Sequence, residues 1–310
     1  MNKKDNSCDF NTELLRLKEN GPANLYLLHG PEAYLRDSFL EELKKICLAE
    51  GDNDFSYKRF ENDVDSTQLL NAMDLMPFMS SRTFIEVLDA DFSNINPSIF
   101  DDIPDYCTIV FVSQNEPDSR LKTVKSIRSN GFDLYFGQQP QNKLVKWIIK
   151  RFNALGKTID ETSAQRLIFI SGDLMSGLIP EINKISSFTS SSIVTINDVN
   201  TLAHHIPEAD TFEMIDYISK KDFKAATKIL YDVLSDKNNT SISILAALGF
   251  NLRRLYGQKL RGYSIPFKAK KLEDYICYCT FCEYRSKQYV EDEKEIIKDA
   301  LLHIIVNENK

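Results

Sequence analysis

Residues 24–39 read NLYLLHGPEAYLRDSF, the layout of a phosphate-binding turn with the phosphate chemistry replaced. The apolar run Asn24-Leu25-Tyr26-Leu27-Leu28-His29 predicts a buried strand and Gly30-Pro31-Glu32 a turn. Leu35, Phe39, Leu40, Leu43, Ile46 and Cys47 then recur at helical spacing. Strand, glycine turn and helix are the setting of the P-loop, G-x-x-x-x-G-K-[ST]. With Gly30 as its first glycine, Leu35 stands at the second, Arg36 at the lysine and Asp37 at the hydroxyl. A leucine side chain blocks close approach of the backbone to phosphate. A carboxylate where Mg²⁺ needs a hydroxyl adds negative charge beside a polyphosphate. The expectation is a nucleotide-binding scaffold with no nucleotide or other cofactor, a partner of ATPases rather than an ATPase. The rival reading is a divergent ATPase in which Arg36 replaces the lysine.

A second segment draws attention for the opposite reason. Leu75-Met76-Pro77-Phe78-Met79 lies between a predicted helix and a predicted strand. Leaving such side chains in water is unfavourable, because burying each is worth about 1.5–3 kcal/mol. Either the loop folds back onto its own core, or it is an apolar plug for a pocket on a partner, with Pro77 preorganising the chain.

Other candidates have plainer readings. Asp89 follows a strand where a Walker B aspartate would stand, but Ala90 replaces the catalytic glutamate, so Asp89 reads as a solvated turn residue. Ser113-Gln114-Asn115 reads as strand-end turn chemistry. Arg120, Lys122, Lys125 and Arg128 read as a solvated helix face. Arg253, Arg254, Lys259, Arg261, Lys268, Lys270 and Lys271 make a second basic stretch that could meet DNA or an acidic partner. Cys277, Cys279 and Cys282 lack the fourth ligand of a zinc site and read as helix packing, with Tyr275, Ile276 and Tyr289 on the same stripe. His204-His205 reads as packing at a junction.

The elements that must position these residues follow from pattern. After a polar lead-in with one short helix, strands are predicted at 55–60, 83–88, 108–112 and 132–136. Helices at 67–74 and 122–129 alternate with them, which gives an α/β domain with a mainly parallel sheet. Gly137-Gln138-Gln139-Pro140 breaks that pattern. Helices follow at 143–155, 160–171 and 174–188, with a short one from Ile196 capped by Asn197. Pro207 marks a second boundary, and from Thr211 onward the pattern is helical, with Asp222 and Ser241 as caps. The expected domains are 1–139, 140–208 and 209–310.

Composition bounds the function. In 310 residues, 43% apolar and 27% charged side chains supply ordinary globular cores. A net charge of −7 argues against a dedicated nucleic-acid binder, though not against a local basic face. The first residues hold no apolar signal segment and no apolar run suits a membrane span. Six cysteines without paired spacing fit a reducing compartment. The expectation is a cytoplasmic protein.

With these residues in this order, the chain resembles the delta subunit of bacterial DNA polymerase III. The likeness runs from about Asn24 to Arg254. It is carried by YLLHGPEAYLRD at 26–37, LLNAMDLMPFMSSRTFIEV at 69–87, DSRLK at 118–122 and KLVKWI at 143–148. Gly172-Asp173-Leu174, Pro180-Glu181-Ile182-Asn183-Lys184, Ile196 to Val199 and Thr211-Phe212-Glu213 continue it, while the last fifty or so residues fit poorly. The resemblance implies an AAA+/RecA-like α/β domain with a degenerate P-loop, a helical lid and an all-α collar that oligomerises. It implies a clamp-loader subunit that binds and opens the sliding clamp for loading onto primed DNA, without binding ATP and without being an enzyme by itself. Its partners would be the sliding clamp, the ATPase and other clamp-loader subunits, and primer–template DNA. The clamp-binding element falls on Leu75, Met76, Pro77, Phe78 and Met79, with Met76 and Phe78 as anchors. Asn71 stands near the position where the family motif begins with glutamine. A third reading, a helical adaptor with an α/β head and no replication role, stays open at this point.

Overall fold

Asp9 accepts a hydrogen bond from the Thr12 backbone and starts helix α1, Phe10–Asn20. The apolar run after it is strand β1, Leu25–His29, buried along its whole length. Helix α2, Ala33–Cys47, turns one apolar stripe inward through Leu35, Phe39, Leu40, Leu43 and Cys47. Strand β2 (Tyr57–Glu61), helix α3 (Ser66–Met73), strand β3 (Thr83–Leu88), strand β4 (Cys107–Ser113), helix α4 (Lys122–Asn130) and strand β5 (Phe132–Tyr135) complete the alternation. The computed structural model describes residues 8–48, 55–236, 239–288 and 292–309.

These strands form one parallel sheet in the order β2-β3-β4-β1-β5. A parallel sheet carries helices on both faces, so its central strands are apolar throughout rather than alternating. On one face Leu25, Leu27, Ile85, Val87, Ile109 and Phe111 pack with Leu69 and Met73 of α3 and Val124 and Ile127 of α4. On the other, Tyr26 meets Phe39 of α2 edge to face, and Phe39 meets Phe136. The register sets His29 beside Ser113 of β4 and Tyr135 of β5, so the turn after β1 opens between two strand ends. That is where an open α/β sheet places a ligand.

The chain divides into two compact units, Met1–Trp147 with Asp173–Pro180, and Ile148–Gly172 with Glu181–Lys310. After the sheet come helix α5 (Gln141–Ala154), the two-residue strand β6 (Thr158–Ile159), helix α6 (Glu161–Ser171) and helix α7 (Met175–Phe188). Strand β7 (Ile193–Val194) pairs in parallel with β6. Helices α8 (Ile196–Leu202), α9 (Pro207–Ser219), α10 (Phe223–Ser235), α11 (Ser241–Leu260), α12 (Ala269–Lys287) and α13 (Glu293–Asn309) follow. The last five share a core that includes Met214, Ile218, Leu230, Leu245, Leu252, Leu272, Tyr275, Ile297 and Ile304.

Three local readings of the sequence are corrected. Thr195, not Asn197, caps α8, in a capping box with Asp198. Thr240, not Ser241, caps α11. The helix expected from Thr211 begins earlier, with Pro207 as the first residue of α9, because a first-turn N–H has no helical partner to lose. The architecture stands as expected: a parallel α/β head followed by helices.

Candidate functional site

The turn after β1 is three residues long. β1 ends at His29 and α2 begins at Ala33, so Gly30, Pro31 and Glu32 alone connect them. The P-loop's second glycine and lysine need loop backbone, but Leu35 and Arg36 are already helical. Gly30 is required for another reason. Its φ is 122°, and a Cβ there would lie 2.4 Å from the Phe136 carbonyl oxygen. The Phe136 N–H donates to His29 O (2.7 Å) and the Glu32 N–H donates to Phe136 O (3.0 Å), which closes the turn against the end of β5.

The side chains that could meet a nucleotide turn inward. Leu35 is buried in the apolar stripe of α2. Arg36 donates from Nη1 to the carbonyls of Gly30 (3.3 Å) and Ser113 (3.2 Å), and from Nε to Asp37 (3.1 Å). Its charge is therefore held by main-chain oxygens between the two strand ends. Glu32 is fully buried, and its Oε2 accepts from the backbone N–H of Met175, the first residue of α7, at 3.0 Å. Burial raises its carboxyl above the ordinary value against the lowering effect of the Met175 and Ser176 backbone N–H groups. A helix N-terminus offers unpaired N–H groups, and here a carboxyl oxygen of the chain itself accepts from one of them.

Asp89 has left-handed φ (46°), donates its N–H to Val112 O and accepts weakly from Gln114 N at 3.4 Å, as a turn residue. Beside α2 lies a cleft of about 560 Å³. Its cations are paired: Lys44 with Glu86 at 2.7 Å and Arg59 with Glu61 at 2.8 Å. Interleaved signs give little net field to draw in a polyphosphate.

The apolar loop is the reverse case. Helix α3 is held by a capping box of Asp65 and Gln68 and ends at Met73. Beyond it Leu75, Met76, Phe78 and Met79 are 40%, 74%, 76% and 68% exposed, so the loop does not fold back onto its core. Pro77 is partly exposed. Its backbone, in contrast, is tied. Thr83 Oγ1 donates to Leu75 O (2.5 Å), the Phe78 N–H donates to Ser56 Oγ (3.2 Å), and Ser81 Oγ donates to Cys47 O (2.9 Å). Arg82 anchors the far end by donating to Thr108 Oγ1 (2.8 Å), Asn24 Oδ1 (3.0 Å) and the carbonyls of Ala23 and Asp105.

Sequence reasoning missed Glu32, Phe55, Ser56 and Arg82 as parts of these sites. Phe55, itself 66% exposed, sets its ring 5.9 Å from that of Phe78. A polar Ser81-Arg82 pair between an apolar loop and an apolar strand is the one signal that could have flagged an anchor.

The remaining candidates stay apart. Arg120 closes on Asp118 at 2.7 Å, which holds the Asp118 carboxyl down at about 2. Arg128 forms an ion pair with Asp133 at 2.7 Å, and Asp133 also bonds the buried His29 at 2.8 Å. The Arg254 guanidinium lies over the Phe212 ring. His205 bonds Asp210 at 2.9 Å, which raises its pKa, and His204 lies 3.7 Å from Asp236. Cys279 and Cys282 are buried and Cys277 is exposed; Tyr289 lies outside the described residues. Among the described residues, no group of three or more His, Cys, Asp or Glu side chains could hold a metal ion. No helix among them is long and apolar enough to cross a membrane.

Comparison with known proteins agrees with this geometry. Residues 26–132 match the family model of the DNA polymerase III delta subunit. The DNA polymerase III subunit delta of Bacillus subtilis (strain 168) is 22% identical over 314 residues, covering 92% of this chain and 87% of that protein. The probable DNA polymerase III subunit delta of Aquifex aeolicus (strain VF5) is 22% identical over 305 residues, covering 90% of this chain and 83% of that one. The solved structure of the Bacillus subtilis DNA clamp loader delta protein superposes with a TM-score of 0.60 at 20% identity, covering 96% of this chain and all of that one. The fold is therefore shared with that structure, and the sequence is similar to DNA polymerase III delta subunits, as the resemblance read from the residues implied.

Proposed function

We propose that the chain is the clamp-contacting subunit of a DNA polymerase III clamp loader, and that it holds and opens the sliding clamp without binding ATP. The observation that carries this reading is the loop Leu75–Met79, whose apolar side chains face water while its backbone is tied to the head. Fully burying Met76, Phe78 and Met79 would yield about 1.5–3 kcal/mol each. The ties lower the ordering cost that docking would otherwise carry. Met76 and Phe78 are the anchors, framed by Leu75, Pro77 and Met79. Docking favours the open clamp to the extent that the loop binds the open interface more tightly than the closed one.

The same proposal covers the rest of the chain. It is an accessory subunit rather than an enzyme, and it works in the cytoplasm. The segments 1–139, 140–208 and 209–310 act as head, lid and collar. ATPase and other clamp-loader subunits meet the collar, and primer–template DNA passes within the assembled complex. The closed turn at Gly30–Glu32 supports the absence of ATP binding and counts against the divergent-ATPase reading.

Two measurements on the purified chain test the proposal. A purified sliding clamp should co-elute with the chain in gel filtration, and Phe78→Ala should abolish co-elution while leaving the melting curve unchanged. A fluorescent ATP analogue with Mg²⁺ should show no saturable binding. Unaltered clamp binding by Phe78→Ala would remove the loop assignment, and micromolar nucleotide affinity would restore the ATPase reading.

A further inference from the structure

The exposed loop has a neighbour from elsewhere in the sequence. Phe55 and Ser56 lead into β2, and the Ser56 carbonyl accepts from the Phe84 N–H at 2.7 Å, which fixes this dipeptide to the first turn of β3. Ser56 is fully buried, and its hydroxyl accepts from the Phe78 N–H. Phe55 stands on the water side, with its ring tilted 46° against that of Phe78 at a centroid distance of 5.9 Å. Two phenylalanines that are 66% and 76% exposed thus cover one another's faces in solvent. A core would have buried them, and a loop built for solubility would hold polar residues there.

We infer that Phe55 is a positioning residue for the clamp contact: it props the Phe78 ring in the orientation that enters the partner, so that the binding element consists of two chain segments rather than one. This rests on the reading of Leu75–Met79 as the clamp-binding loop. Geometry supplies the reason. Ser56 fixes the backbone of Phe78 but leaves its χ angles free, and an exposed aromatic loses rotamer freedom on docking. A ring packed at tilted geometry is worth about 0.5–1.5 kcal/mol. Restricting Phe78 before binding transfers that gain to affinity. The prop must be aromatic, because an aliphatic side chain offers no face for the tilted contact. It must also come from a segment fixed to the sheet, and Phe55 directly precedes Ser56, whose carbonyl is bonded to β3.

The experiment is an equilibrium titration of a purified sliding clamp with the full chain and four variants: Phe55→Ala, Phe55→Tyr, Phe78→Leu and the double variant Phe55→Ala/Phe78→Leu. Phe55→Ala is expected to weaken binding by roughly 3- to 10-fold, the affinity equivalent of the aromatic contact. Its thermal midpoint should not move, since the side chain is exposed. Phe55→Tyr keeps the ring and should bind as the parent does. With the Phe78 ring already removed, Phe55→Ala should add less than about two-fold, because residues that act through one another are not additive. Three results overturn the inference: parental affinity for Phe55→Ala, an equal loss in Phe55→Tyr, or full additivity in the double variant. If Phe78→Ala itself binds as the parent does, the loop assignment falls first, which separates failure of that reading from failure of this one.

Discussion

The turn at Gly30–Glu32 and the loop at Leu75–Met79 sit in the same head and handle their side chains in opposite ways. In the turn most of the groups that could meet a ligand find partners within the chain, although Glu32 Oε1 is buried without a hydrogen-bond partner. The Arg36 guanidinium is held by two main-chain carbonyls, the Glu32 carboxyl by a helix N-terminus, and Gly30 is pressed against Phe136. In the loop the backbone is satisfied from within, while the apolar side chains are left to water. A buried polar group without a partner costs roughly 1–3 kcal/mol, which the internal partners of Arg36 and of Glu32 Oε2 avoid. An exposed apolar group has a smaller cost spread over area, and that cost is regained when a partner covers it. The contrast is between a turn that directs most of its polar groups to the chain itself and a loop that keeps its apolar surface open on a fixed frame.

The strongest way to break the comparison is to release the frame. Arg82→Ala removes donors to Thr108, Asn24, Ala23 and Asp105 and should lower the unfolding free energy by roughly 2–3 kcal/mol. It should also weaken clamp affinity although no loop side chain is altered. Urea unfolding and clamp titration on one preparation check both, and unchanged affinity in a folded variant would show that the frame is dispensable.

A smaller effect is expected from the closed turn. Burial raises the Glu32 carboxyl, so the folded chain holds that proton more tightly than the unfolded chain does. The contribution is fully present below the unfolded carboxyl value and is lost as pH rises through the folded value. Glu32→Gln cannot titrate but keeps an oxygen to accept from Met175. The stability of the parent relative to Glu32→Gln should therefore fall as pH rises from about 4 to 8, across and beyond the carboxyl range. A difference that stays flat across that span would contradict the account of Glu32.

The smallest expected effect is none. Leu35→Gly, Arg36→Lys and Asp37→Thr together restore the P-loop letters, yet α2 would still begin at Ala33 and Phe136 would still fill the space beside Gly30. The triple variant should bind no ATP analogue with Mg²⁺ in fluorescence titration. Micromolar binding would mean that side chains alone, not the shortened turn, had closed the site.

Much of this was legible in the chain. Apolar runs at 24–29, 83–88 and 108–112 announced the buried strands of a parallel sheet, because strands covered on both faces lose their alternation. Leu35, Arg36 and Asp37 depart from the P-loop letters by residue type alone, which is why the sequence raised the expectation of no nucleotide. The contact of Glu32 with Met175 was not legible, since it joins residues 143 apart in the sequence. Phe55 was hidden inside a predicted strand, where an aromatic residue needs no further explanation. The caps at Thr195 and Thr240 were missed because Asn197 and Ser241 nearby are of types with stronger capping preference, and chain geometry overrode that preference.

The central claim is that this chain holds a sliding clamp through the loop at Leu75–Met79 and needs no nucleotide to do so. The most direct test is an equilibrium titration of purified clamp in nucleotide-free buffer, comparing the parent with Phe78→Ala. Saturable binding by the parent, unchanged on adding ATP and Mg²⁺, and weakened by roughly 30-fold or more in Phe78→Ala, as for an interface hot spot, is the predicted result. Binding that requires ATP, or that survives Phe78→Ala undiminished, would contradict it.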